Sequence, residues 1–143
     1  HQDVIRSAAI SFFGSVKSDK NYNRLKELAS YGGTTWDARP EAVSQLSRYA
    51  KEKRETIDIF VNLLEDRSRD VRRRAIYALA SHGDKTHLGH LDEVMFKDPA
   101  LGRDIRYAKK RILNPSKKPT KNSVEQKLEE ANRKLDEIKR LLN

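Results

Sequence analysis

Asp70-Val71-Arg72-Arg73-Arg74-Ala75-Ile76-Tyr77-Ala78-Leu79, closed by Gly83-Asp84, is the stretch that decides the fold. Val71, Ala75 and Leu79 stand four and eight apart, which places them on one face of an α-helix. The small Ala75 in the middle lets a neighbouring helix come close. The pattern recurs. Stretches beginning with Asp start at Asp3, Asp37, Asp70 and Asp104, spaced by 34, 33 and 34 residues. An apolar residue follows each Asp: Val4, Ala38, Val71 and Ile105. Four positions on come Ala8, Ala42 and Ala75, with Lys109 in the last unit, and eight positions on come Phe12, Leu46, Leu79 and Leu113. A fixed period of this length signals stacked helical hairpins.

These A helices are expected over 3–17, 37–51, 67–82 and 103–113. A second periodic stretch follows each of the first three, giving B helices over 19–31, 53–66 and 84–98. Their apolar faces are Tyr22, Leu25, Leu28 and Ala29; Ile57, Phe60, Val61 and Leu64; and Leu88, Leu91, Val94 and Met95. Turn residues such as Ser18-Asp19, His82-Gly83-Asp84 and Asp98-Pro99 mark the joints. Pro40 suits the first turn of its helix, where no N–H is needed. No stretch alternates as a strand does. The expected fold is all-α: an αα-superhelix of about three and a half repeats over 1–113, a basic linker over 114–122, and a C-terminal heptad helix over 123–143.

The unit 70–84 resembles the HEAT repeat, in the short variety also found in phycobilin lyases. That resemblance covers residues 3–113 and implies a right-handed superhelix that serves as a scaffold. It also implies that Arg39, Arg72 and Arg106, each just after the apolar start of a unit, pair with an Asp near the preceding turn. Asp66 and Asp98 are the candidate partners, and the first unit departs by carrying Ile5 in that place.

The chain has 143 residues and a net charge of +9, with charged and hydrophobic residues each at 36%. That balance fits a thin, high-surface architecture better than a deep globular core. The positive charge gathers on the A helices and the tail, while the B helices are acidic overall. The basic clusters Arg69, Arg72, Arg73 and Arg74, then Lys109, Lys110 and Arg111, form a candidate interaction ridge. Phosphate neutralisation is one use for it. Only Tyr77 and Tyr107 lie within the ridge to stack on bases, so nucleic acid is a possible but not the favoured partner.

With no Cys, the chain has neither disulfides nor thiolate zinc sites, in keeping with a cytoplasmic setting. No apolar run approaches the roughly 18 residues of a membrane span. There is no His-Glu-x-x-His, glycine-rich phosphate loop or Gly-x-Ser-x-Gly, so no enzyme activity and no cofactor are expected in this chain. His82, His87 and His90 lie near one another in sequence but read as residues at the margin of a helix core. Trp36, at a repeat boundary, reads as a packing residue.

Pro115 and Pro119 bracket the linker. Ser123 with Gln126 forms a capping-box pattern. Val124, Leu128, Ala131, Leu135, Ile138 and Leu142 then follow at spacings of 4, 3, 4, 3 and 4, a heptad seam. In a parallel pair, Lys134 would face Lys139 of the partner, so an acidic partner surface suits this helix better. The order of parts is similar to the C-terminal region of archaeal and bacterial relatives of aminopeptidase N, which are zinc metallopeptidases. The resemblance implies a scaffold for protein binding or intramolecular docking, with zinc in a parent enzyme and no catalytic residue carried here. A nucleic-acid-binding HEAT module and a lyase-type HEAT protein are the alternatives.

The chain opens on His1 and is read as part of a longer polypeptide. Ile5, Ala9 and Phe13 add a second apolar strip to the first helix. At the corresponding places the last unit has Arg106, Lys110 and Asn114, a polar cap. An apolar strip at a solenoid end implies a partner, here the preceding domain of the same polypeptide.

Overall fold

The computed structural model describes residues 2–30, 38–115 and 121–143, with no side-chain description for 2, 3 and 121–123. Among the described residues the chain is helical throughout and holds no strand. The A positions are filled by α1 (Gln2–Ser15), α3 (Ala38–Leu46), α5 (Arg69–His82) and α7 (Gly102–Leu113). The B positions are filled by α2 (Asp19–Ala29), α4 (Thr56–Leu63) and α6 (Leu88–Lys97), and α8 (Lys121–Leu142) follows. Residues 31–37 and 116–120 lie outside the described residues, and with them Asp37, the Trp36 packing expectation and most of the linker.

Local chemistry sets the ends of these helices. The Ser18 hydroxyl accepts from the Asn21 N–H at 3.1 Å and caps α2. Ser68 does the same for α5 through Val71, satisfying a donor that the first turn leaves unpaired. α3 is shorter than expected: after Leu46 it tightens into a 3-10 turn over 47–49. There the Ser47 hydroxyl donates to the Ser44 carbonyl, and the Tyr49 hydroxyl reaches the Phe13 carbonyl of α1 at 2.6 Å. Pro40 sits in the first turn of α3.

The A helices pack in chain order, α1 on α3, α3 on α5 and α5 on α7. The B helices lean on them, α2 against α1 and α3, α4 against α5, and α6 against α7. One continuous core runs through the stack. It takes Tyr22, Leu25 and Ala29 from α2, Ile57, Phe60 and Leu64 from the α4 segment, and Leu91 and Val94 from α6. From α5 it takes Val71, Ala75 and Leu79, as their four-residue spacing requires, joined by Ile76, Ala78 and Ala80. In α7 the buried line is Ile105, Ala108 and Ile112. Leu113 is exposed instead, because the seam there advances by three and four residues rather than four and four.

The first helix differs from its sequence alignment. Val4, Ala8 and Phe12 align with the core face of the later units, yet Val4 is 73% and Phe12 54% exposed, and Ala8 is exposed too. Ile10 and Gly14 are buried in their place, and Phe13 packs partly against the core. Apolar residues cover most of the circumference of α1, so periodicity alone selects no face. Packing selects it: Gly14 lets α1 lie directly against Gln45 of α3, and the Tyr49 hydroxyl holds the Phe13 carbonyl on that side.

α8 begins at Lys121, two residues before the capping box expected at Ser123. Ser123 therefore lies inside the helix. Every described side chain from Val124 onward is exposed.

Candidate functional site

A ladder of arginine side chains runs along the turns that join the B helices to the A helices. Arg39, second residue of α3, is buried at 4% exposure. Its Nε donates to the carbonyls of Ala29 and Ser30 at the end of α2, both at 3.1 Å. Its Nη1 and Nη2 make a forked pair with the Asp66 carboxylate beyond α4. Asp66 in turn accepts from the Ser68 N–H at 2.8 Å. Arg72 repeats the arrangement one unit on. Its Nη1 donates to the carbonyls of Asp66 and Arg67, and its Nη2 reaches Asp98 at 2.7 Å. Each arginine thus binds carbonyls of the preceding turn and a carboxylate of the following one. This corrects the expected pairing by one unit: the carboxylate partner of Arg39 is Asp66 and that of Arg72 is Asp98. The preceding turn already offers bare helix-end carbonyls, and the guanidinium fork has donors enough for both sides. Arg106, in the last unit, is exposed.

Asp98 and three further carboxylates, Asp70, Asp92 and Asp104, pair with residues of the basic ridge. Arg69 Nε meets Asp98 at 3.0 Å. Arg73 bridges Asp70 at 3.0 Å and Asp104 at 3.3 Å. Lys109 pairs with Asp92 at 2.6 Å. Hydrogen bonds from Arg72 and then Arg69 hold the Asp98 carboxyl below its ordinary range. Asp104 also accepts from the Tyr77 hydroxyl at 2.6 Å, and that bond raises the phenol above its usual value. The Tyr77 and Tyr107 rings lie 5.6 Å apart at 54°, packed on each other. Of the seven ridge residues, Arg69, Arg72, Arg73 and Lys109 are therefore ion-paired. Arg74 and Lys110 are exposed, and Arg111 lines a groove of about 700 Å³ with Lys51, Lys85, Gly83 and Asp84. Asp104, whose carboxylate ties α5 to α7, stood in the sequence only as a repeat marker.

His87 and His90 have separate surroundings. The His87 ring nitrogen accepts from the Asp84 N–H at 3.1 Å and lies 3.0 Å from the Asp84 carboxylate, closing a capping box on the short turn 85–87. His90 lines a shallow groove between α4 and α6 with Glu65 and Glu93. Among the described residues no three His, Asp or Glu side chains are placed to hold a metal ion, and no helix is long and apolar enough to cross a membrane.

Among the described residues, the first and last helices carry exposed apolar strips. On α1, Val4, Ile5 and Phe12 are 73, 70 and 54% exposed, Val16 just past its end is 47% exposed, and Ala8 and Ala9 are exposed between them. Of the three residues expected to form the end surface, Ile5 and Ala9 are exposed and Phe13 is turned inward. Phe12 stands outside instead. On α8, Val124, Leu128, Leu135, Ile138 and Leu142 are all at least half exposed, with Ala131 among them. Compared with known protein families, with curated proteins and with solved structures, the chain matches none.

Proposed function

We propose that this chain is a non-catalytic HEAT-like scaffold that docks a protein domain against the outer face of α1. The observation that carries the reading is the exposed strip Val4, Ile5, Ala8 and Phe12 on the first helix of a stacked array, continued by Val16 just past the helix end. A contiguous apolar face at one end of such an array is the surface a neighbour covers. The chain-order packing of the A helices and the repeated arginine ladder support the repeat reading. The neighbour, on the resemblance described above, is a domain preceding the array in a polypeptide of the aminopeptidase N kind. On that reading zinc would belong to that domain.

A photo-crosslinking residue in place of Ile5, in the polypeptide as its gene encodes it, tests this. Mass spectrometry should find position 5 joined to a protein segment N-terminal to the array, far above a control at exposed Asn62. Cross-linking no greater than the control, or cross-linking to nucleic acid, would overturn the proposal.

A further inference from the structure

We propose that α8 pairs with α8 of a second copy of this chain, and that the two helices run antiparallel. The inference is independent of the α1 surface. A helix of 22 residues, about 33 Å long, is marginal in water unless its apolar face is covered. Its seam is exposed along its whole described length, and a second copy offers an apolar seam of the same length to cover it.

Side-chain size and charge name the occupant and its direction. With Leu128, Leu135 and Leu142 at the a positions, Val124, Ala131 and Ile138 fall at d. A parallel pair sets like against like. Ala131 would meet the Ala131 of the copy and leave a gap in mid-seam, and Lys134 would face Lys139 on both sides. An antiparallel pair sets a against d. Leu135 then fills the space beside Ala131 of the copy, Leu128 meets Ile138, and Leu142 meets Val124. The flanking e positions bring Glu125 opposite Lys139 twice, an attraction of opposite charges across the pair. Lys134 meets its own copy once at the centre, where Glu130, 3.3 Å away on the same helix, offsets its charge.

The chain has no cysteine, so introduced thiols report the geometry without interference. Sedimentation equilibrium of the whole chain should give a dimer, and Leu128→Asp with Leu135→Asp should weaken it at least tenfold. Under mild oxidation, Val124→Cys chains mixed with Leu142→Cys chains should give mainly the mixed disulfide. A monomer at high concentration would overturn the proposal. So would Val124→Cys cross-linking efficiently to itself, which marks a parallel pair. A dimer that survives the Asp substitutions, or that Phe12→Ser dissolves, would show association through another face and would overturn it as well.

Discussion

At the scale of single residues, the Arg39–Asp66 pair is the most deeply enclosed ion pair among the described residues. Both side chains are nearly enclosed, at 5 and 7% exposure. Breaking such a pair from one side strands a buried charge, which costs about 3–5 kcal/mol. Asp66→Ala should therefore lower unfolding stability by about that amount in urea titrations. Arg39→Met combined with Asp66→Leu should cost less than Asp66→Ala alone, because no unpaired charge remains. A loss below about 1 kcal/mol for Asp66→Ala would contradict this account. Asp98 contributes to the pH dependence, alongside Asp19 and Asp84, whose carboxyls are also held below their ordinary range by hydrogen bonds from Lys53 and Thr86. The folded pKa of Asp98 is depressed by Arg72 and Arg69, so its contribution is fully present above the unfolded carboxylate value of about 3.9. That contribution fades as pH falls through the lower folded value. Asp98→Asn should flatten the acid arm of a stability–pH curve and leave its neutral-to-basic side parallel to that of the parent. Gly14 argues the other way from helix propensity. Ala is favoured over Gly inside a helix by about 1 kcal/mol, yet a Cβ there would lie 2.9 Å from Gln45 Cβ. That atom is fixed to the α3 backbone, so the clash prevails, and Gly14→Ala should destabilise by about 1–3 kcal/mol.

At the scale of elements, α1 separates what pattern reveals from what packing decides. The B helices were legible because each carries one apolar stripe on an otherwise polar helix. Tyr22, Leu25 and Ala29, then Ile57, Phe60 and Leu64, are buried as their spacing requires. α5 was legible for the same reason. α1 has apolar residues on nearly all sides, so its inward face was fixed by Gly14 against Gln45 and by the Tyr49 hydroxyl, long-range contacts that local spacing does not encode. The arginine ladder was half legible. Its residues stood out by their place in the repeat, but whether each reached the carboxylate behind it or ahead of it depended on which turn supplied free carbonyls. A pair of substitutions reads the α1 register directly. Phe13→Ser should cost about 2–3 kcal/mol by removing a side chain packed on the core. Phe12→Ser should change stability by less than about 0.5 kcal/mol, as exposed substitutions do. Equal effects at the two positions would mean that the described face of α1 is wrong.

At the scale of the whole molecule, a net charge of +9 gives a misleading impression of the A-helix ridge. Four of its seven cations already face carboxylates, and Asp98 and Asp104 each serve two partners or more. A phosphate backbone would have to compete with those pairs. Of the seven, Arg74, Lys110 and Arg111 remain, with Arg103 and Arg106 also exposed on α7, beside tyrosines that pack on each other rather than standing apart to receive bases. Binding to duplex DNA should accordingly be weak, indifferent to sequence and strongly reduced by salt. The substitutions that test this must avoid Arg73, whose bonds to Asp70 and Asp104 hold the fold. Arg74→Glu and Lys110→Glu disturb no ion pair seen among the described residues. If the ridge does bind, each should weaken affinity uniformly across sequences and reduce the slope of log affinity against log salt by about 0.9, while the melting temperature stays within a degree or two. Fluorescence anisotropy over a salt series reads the affinities and the slope, and thermal unfolding followed by circular dichroism reads the melting temperature. Tight binding of one defined duplex at physiological salt, abolished by either substitution, would make the ridge a recognition surface and displace protein docking as the reading of this array.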